Sequence, residues 1–407
     1  MTGLCAIPSP SRRALLGTVS GCFGWAFLPR WAPAAGARDM RLITIILRGA
    51  LDGLSAVAPV GDPDYAGLHG ALALGRDGPH AALPLDGFFA LNPAMPTVAA
   101  LFARGEAAVV HATATGYRDR SHFDGQDVLE SGQPAPGLTA SGWLNRALAL
   151  LPEGERVGGG RGLAVGAVSP LVMRGAAPVL GWAPQGVPAA SDDLAGRLLS
   201  LYASRDPALH DSLSAGLASA RLAGNAAMNP KGRMDRPDGM VQAAQGAARL
   251  LAGHDGPRIA ALAFEGWDTH VDEGGATGRL AQLLGGLDGA IAAFREGLGP
   301  AWADTTLLAV TEFGRTARIN GTVGTDHGTG TVAFLAGGGI KGGRVLADWP
   351  GLKPKQLYEG RDLAPTTDLR AILKGALNVQ WGFSDAALTA TVFPGSEGIR
   401  PDTRLFA

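Results

Sequence analysis

The sequence predicts an α/β protein, a three-layer α/β/α sandwich built on a mostly parallel sheet. Two patterns predict it. Nearly continuous apolar, β-branched runs of strand length recur along the chain, as expected of strands buried on both faces. Between them lie segments whose apolar residues recur at helical spacing, and such alternation implies a parallel sheet covered on both sides. The 46% hydrophobic and 17% charged content is enough apolar surface to offset chain entropy, which excludes intrinsic disorder.

Residues 1–37 read as a cleaved export signal. Paired Arg12 and Arg13 precede the weakly apolar stretch ALLGTVSGCFGWAFL, and Ala35 and Ala37 frame a small-residue cleavage site. The apolar run is shorter than the ~18–20 residues that span a bilayer, and Gly and Ser interrupt it. No stable membrane span is therefore expected. A twin arginine followed by two leucines points to twin-arginine export, so the translocase is the expected partner in transit, and the protein is expected to be periplasmic or secreted. Only Cys5 and Cys22 are present, both inside this segment. The body from residue 38 to 407 therefore has neither a disulfide framework nor a Cys-based zinc site.

After the signal, RLITIIL (41–47), AAVVHAT (107–113), RIAALAFEG (258–266), DTTLLAVTEF (304–313) and TVAFLAGGG (331–339) read as strands. Helical spacing marks 191–204, 208–223, 239–253 and 276–298, the last through Leu280, Leu283, Leu284, Leu287, Ile291 and Phe294. The Gly-rich stretch 153–162 and MNPKGRMDRPDG (228–239) read as loops. Lys plus Arg (35) nearly balances Asp plus Glu (36), and no basic run carries interleaved aromatics. A nucleic-acid partner is therefore not expected.

In such sheets the chemistry collects at the carboxyl ends of strands. Those ends deliver Arg48 and Asp52, then GYRDRSHFD with Arg120, Ser121 and His122, then Asp268 and His270, then Glu312 and Arg315. A further loop carries Asp326 and His327. Asp268 and His270 are two apart, so in extended chain both point the same way, as two ligands on one ion would; a solvated loop pair is the other reading. Asp52-Gly53 also reads as an ordinary turn. Glu312 closes an apolar strand and must be paired, protonated or metal-bound unless it reaches solvent; an ion pair with Arg315 or Arg318 is the alternative. Carboxylate oxygens with neutral imidazole suit one or two divalent ions, Zn²⁺, Mn²⁺ or Mg²⁺.

Of the eight histidines, His122, His270 and His327 lie within two residues of an Asp at a strand-end loop. His69, His80, His210 and His254 read as surface residues, and His111 as a hydrogen-bonded core histidine. Ser121 reads as a helix N-cap with Asp124 at the capping-box position. The same placement, a hydroxyl at a helix N-terminus near two arginines, suits attack on a phosphate- or sulfate-like anion. A glycoside-hydrolase reading would use two of these carboxylates as acid and base, leaving the Asp-His pairs unexplained.

The blocks LRGALDGLSAVAPVGDPDYAGL, RSHFDGQDVLESG, GWLNRAL (142–148), FEGWDTH and TEFGRTARINGTVGTDHGTGTVAFLAGGGIKGGRVLADWPGL resemble, in that order, the bacterial family called domain of unknown function 1501. That family is similar to the alkaline phosphatase and sulfatase superfamily. The resemblance implies an alkaline phosphatase-like sheet, metals at strand ends and hydrolysis of phosphate or sulfate esters. It implies Asp52, Asp268, His270, Glu312, Asp326 and His327 as metal ligands, with Ser121 or a bound water as nucleophile. Glu312 stands where the superfamily usually has Asp-His, so one imidazole fewer is expected. Arg48, Arg120 and Arg315 are expected to clamp the oxygens of a small anionic ester. Family members are often encoded beside another exported family, domain of unknown function 1800, which makes a companion exported protein conceivable. The alternative expectation is a secreted binding or assembly protein that keeps the fold and does no chemistry.

Overall fold

The computed structural model describes residues 39–151, 162–184 and 236–407, with Met234 and a few positions between 198 and 214. In chain order the strands are β1 (Arg41–Leu47), β2 (Val57–Ala58), β3 (Leu83–Pro84), β4 (Ala90–Leu91), β5 (Ala107–Ala114), β6 (Gly162–Val165), β7 (Val179–Trp182), β8 (Ile259–Phe264), β9 (Thr305–Val310), β10 (Thr331–Ala336), β11 (Arg344–Leu346) and β12 (Thr367–Asp368). The helices that matter below are α1 (Gly53–Ala56), α2 (Tyr65–His69), α3 (Pro96–Ala103), α4 (His122–Ser131), α5 (Trp143–Leu150), α6 (Pro237–Ala252), α7 (Arg279–Leu298) and α8 (Leu369–Trp381).

The main sheet has the order β11-β5-β10-β9-β1-β8-β6-β7, with β12 beside β5; β2, β4 and β3 form a small second sheet. Strand β10 is antiparallel to β5 and β9, whereas the other pairings of the main sheet are parallel. The carboxyl ends of β1, β5, β8 and β9 and the amino end of β10 therefore share one edge.

Alternation along the strands builds the layers. Ile43, Ile45 and Leu47 of β1, with Leu262 and Phe264 of β8 and Leu307 of β9, join Met240 and Ala244 of α6 and Leu284, Leu287 and Ile291 of α7 in one core. Leu42 and Ile46, with Ile259, Ala261 and Leu308, join Trp143 and Leu144 of α5 and Ile372, Leu373 and Leu377 of α8 in the other. Successive strand residues point to opposite faces, so β1 is buried from both sides. At about 1.5–3 kcal/mol per buried large apolar side chain, this central strand is a rigid base for the loops at its end.

The strands at 41–47 and 107–114 match their apolar runs, and those at 259–264, 305–310 and 331–336 are shorter than theirs. Helix α6 begins at Pro237, inside the segment expected to be loop; proline is accommodated at a first helical position because its missing N–H has no partner to lose there. The four-residue strands β6 and β7 were not expected: each is too short, and each contains a glycine. The signal at 1–37 lies outside the described residues, as do most of 153–162, 191–204 and 208–223. Among the described residues no helix is long and apolar enough to cross a membrane.

Candidate metal centre

The site is assembled where strand ends meet. Gly49, just after β1, has φ 121°, and a Cβ there would fall 2.4 Å from the Asp268 backbone nitrogen. Only glycine lets the exits of β1 and β8 pack backbone against backbone. The Gly49 N–H then donates to Glu312 Oε1 at 2.9 Å, tying in the exit of β9. From β5 the chain runs to Arg120, held at φ 60°, and Ser121 takes the N-cap position of α4, whose first residue is His122.

Three imidazoles and one carboxylate converge. His327 Nε2 lies 2.9 Å from His122 Nε2 and 3.0 Å from His270 Nε2. Asp268 Oδ1 is 2.9 Å from His270 Nε2 and 3.3 Å from His327 Nε2, and Asp268 Oδ2 is 3.5 Å from His122 Nε2. The far nitrogens explain this orientation. His122 Nδ1 meets Glu312 Oε1 at 2.9 Å, and His327 Nδ1 meets the Arg120 carbonyl at 3.0 Å. Both partners only accept, so both Nδ1 atoms carry hydrogen, and the two Nε2 atoms face each other. Two nitrogen lone pairs at that distance repel unless a proton or a cation lies between them. Donors about 2.0–2.1 Å from a tetrahedral zinc stand about 3.3–3.4 Å apart, close to the separations here. His122, Asp268 and His327 each offer a ligand atom within 4.8 Å of the others, so the donor set fits a divalent ion.

The electrostatics agree with that use. Burial pushes the Glu312 carboxyl up, but bonds from His122, Gln126 and Gly49 outweigh it and hold the group below its usual range. The bond to Glu312 in turn raises His122. Burial pushes Asp268 up, but Arg315, together with His270 and His122, outweighs it and holds the carboxyl down. His327 is lowered by burial and by His122, which keeps its imidazole neutral and its lone pair free.

Other expected residues lie elsewhere or act differently. Asp52, expected as a ligand, caps α1 by accepting from Leu54 N at 2.9 Å, and its Oδ2 lies 3.1 Å from His69 Nε2. Ser55 Oγ is 2.7 Å from the same nitrogen, and His69 Nδ1 is 3.1 Å from the Ala317 carbonyl. His69, expected at the surface, is thus fully buried, because both ring nitrogens find partners. Glu312, expected on the ion or paired with an arginine, stands behind His122. Asp326 is mostly exposed, with Oδ1 3.4 Å from His270 Nδ1.

The three arginines expected to clamp an anion are engaged with carboxylates. Arg48 binds Glu130 at 2.6 Å and Glu265 at 3.1 Å. Arg120 binds Asp362 at 2.8 Å and Glu359 at 2.5 Å. Arg315, fully buried, reaches Asp268 Oδ1 at 2.7 Å and Thr325 Oγ1 at 3.0 Å. Ser121 sits at the helix N-cap, but its hydroxyl makes no capping bond. His111 is the core histidine expected, bonded to the Val57 carbonyl. His122 was legible as an acid-flanked histidine at a strand end yet stood outside the expected ligand set, and its Nε2 lies among the converging groups.

A sandwich that gathers histidines and a carboxylate at its strand ends defines an α/β protein with a candidate divalent-metal centre. The chain belongs to the DUF1501 family, proteins of unknown function, whose profile matches residues 39–392. No curated protein matches it. Among solved structures it is similar to Ps i-CgsB in complex with k-i-k-neocarrahexaose, at 8% identity and TM-score 0.44 over 85% of this chain and 73% of that one. It is also similar to the phosphonate monoester hydrolase of Agrobacterium radiobacter, at 14% identity and TM-score 0.29 over 75% of this chain and 70% of that one.

Proposed function

We propose that the protein is a divalent-metal-dependent hydrolase of phosphate or sulfate esters, exported to the periplasm by the twin-arginine route. The observation that carries the reading is the convergence of the His122, His270 and His327 Nε2 atoms on Asp268. These four residues would hold the ion. A nitrogen-rich set favours zinc, then manganese, over magnesium, which prefers oxygen ligands. A bound divalent ion supplies Lewis-acid polarisation of the ester oxygen and a lowered pKa for a coordinated hydroxyl or water.

The chain's own residues do the rest. Glu312 and the Arg120 carbonyl fix two imidazole orientations, and Arg315 keeps Asp268 ionised. Ser121 precedes a ligand, keeps its hydroxyl out of the helix cap, and lies where a helix N-terminus favours an anion. It or a bound water is the nucleophile.

Elemental analysis of the purified mature chain should find one or two divalent ions. 4-Nitrophenyl phosphate or 4-nitrophenyl sulfate should be hydrolysed, and His122→Ala should lose both metal and at least a hundredfold of rate. A chain that binds no zinc or manganese at micromolar concentration and cleaves neither ester overturns the reading. Replacing Arg12 and Arg13 with Lys should leave the precursor in the cytoplasm, as fractionation would show.

A further inference from the structure

We propose that the cleft at the carboxyl ends of β1, β8, β6 and β7 receives the organic group of the ester, and that this group is uncharged and largely apolar, an aryl or bulky alkyl alcohol portion. This rests on the hydrolase reading above. The cleft has a volume of about 570 Å³, within the ~300–1,000 Å³ typical of small-molecule sites. Its walls are mainly apolar, with Val165, Val168, Ala183, Pro184 and Ala263 among them, and Arg48 and Glu265 supply charge. Val168 is 72% exposed, an uncovered apolar side chain at a cleft lining.

Charge decides what fits. The Arg48 guanidinium is shared between Glu130 and Glu265, one positive group against two negative ones. Among the described residues of the cleft no free cation is left to hold an anion, and the half-exposed Glu265 repels one. An anionic headgroup therefore belongs at the metal centre, and the cleft suits a neutral group whose hydroxyl or amide could donate to Glu265.

Continuity decides which ligand it serves. The segment 263–270 gives the cleft Ala263 and Glu265, and then gives the metal centre Asp268 and His270. Arg48 in the cleft wall is followed by Gly49, whose N–H holds Glu312 behind His122. Headgroup site and cleft are neighbouring parts of one strand-end surface.

The test compares 1-naphthyl phosphate, methyl phosphate and 1-naphthol on the zinc-loaded protein. The expected result is that 1-naphthol alone binds, followed by its fluorescence, and that KM for 1-naphthyl phosphate is at least tenfold below that for methyl phosphate. Ala183→Trp, which fills the cleft, should weaken 1-naphthol binding tenfold or more while metal content stays stoichiometric. Val168→Asp alters an exposed position that does not endanger folding, and it should weaken the same binding at least fivefold. If 1-naphthol does not bind and the two phosphates have equal KM, the cleft proposal is overturned while the hydrolase reading stands. If 1-naphthol binds in a manner sensitive to both variants but neither phosphate is cleaved, the cleft stands as a neutral-ligand site and the hydrolase reading falls.

Discussion

A metal-binding imidazole is only as good as the partner on its other nitrogen, and here those partners are Glu312 for His122 and the Arg120 carbonyl for His327. Outer partners of this kind typically change metal affinity by about 10–100-fold. Glu312→Gln should therefore weaken zinc binding by about that factor in a chelator competition, with the fold intact; unchanged affinity would show that the pairing is incidental. Asp362→Asn acts one step further out. It loosens the Arg120 guanidinium, held at 2.8 Å, and so the carbonyl that orients His327, and it should weaken zinc severalfold while Arg361→Ala serves for comparison, since Arg361 holds the His327 carbonyl. At this scale the sequence was partly readable. Asp268, His270 and His327 could be picked out because acid-histidine pairs at strand ends are visible in the letters. What the letters do not carry is direction. Asp52 stands at a strand end like the others, but its carboxylate serves a helix cap and a buried histidine. His122 hides at a helix start, where its neighbour Ser121 is the more conspicuous residue.

Elements place these residues, and the decisive one is β10. Because it runs against β5 and β9, the loop that enters it meets the loops that leave the parallel strands, which is why Asp326 and His327 precede a strand. Apolar runs give strands away when both faces are buried, so β1, β5, β8, β9 and β10 were readable as strands. Pairing direction leaves no mark in such a run, and β6 and β7 are too short to make one. The tightest junction is the β1 exit. Gly49→Ala would put a Cβ into the Asp268 backbone at a φ that side chains rarely adopt, a combined strain and overpacking cost on the order of 2–4 kcal/mol. Urea denaturation should show that loss, together with weaker metal binding. Gly87→Ala meets nothing within 4 Å and should leave both unchanged.

Across the whole molecule the buried charges set how stability depends on pH. Behind the metal centre, Arg315 Nε donates to Thr325 Oγ1, which donates to Glu273 Oε2 at 2.7 Å. Glu273 is fully buried, and its Oε1 has no hydrogen-bond partner. Burial, and then the negative charge of Asp52, push its carboxyl up from 4.5 to about 8. Between those two values the folded protein binds a proton that the unfolded chain has released, so stability is greatest below pH 4.5 for this group and falls as pH rises towards 8. His69 acts in the same direction: burial lowers it, but Asp52, with the Ala317 carbonyl and Glu273, outweighs burial and raises it, so its contribution is lost as pH climbs through the raised value. Glu312, Asp268 and Asp52 act oppositely, because their carboxyls are held down in the fold and their contributions vanish as pH falls through those lowered values. Glu273→Gln keeps an acceptor for Thr325 and removes the titration. It should be more stable than the wild type by on the order of 2–4 kcal/mol at pH 9, with little difference at pH 4.5. Chemical denaturation at the two pH values checks this, and parallel stability curves for the two proteins would mean that Glu273 does not carry a proton in the fold.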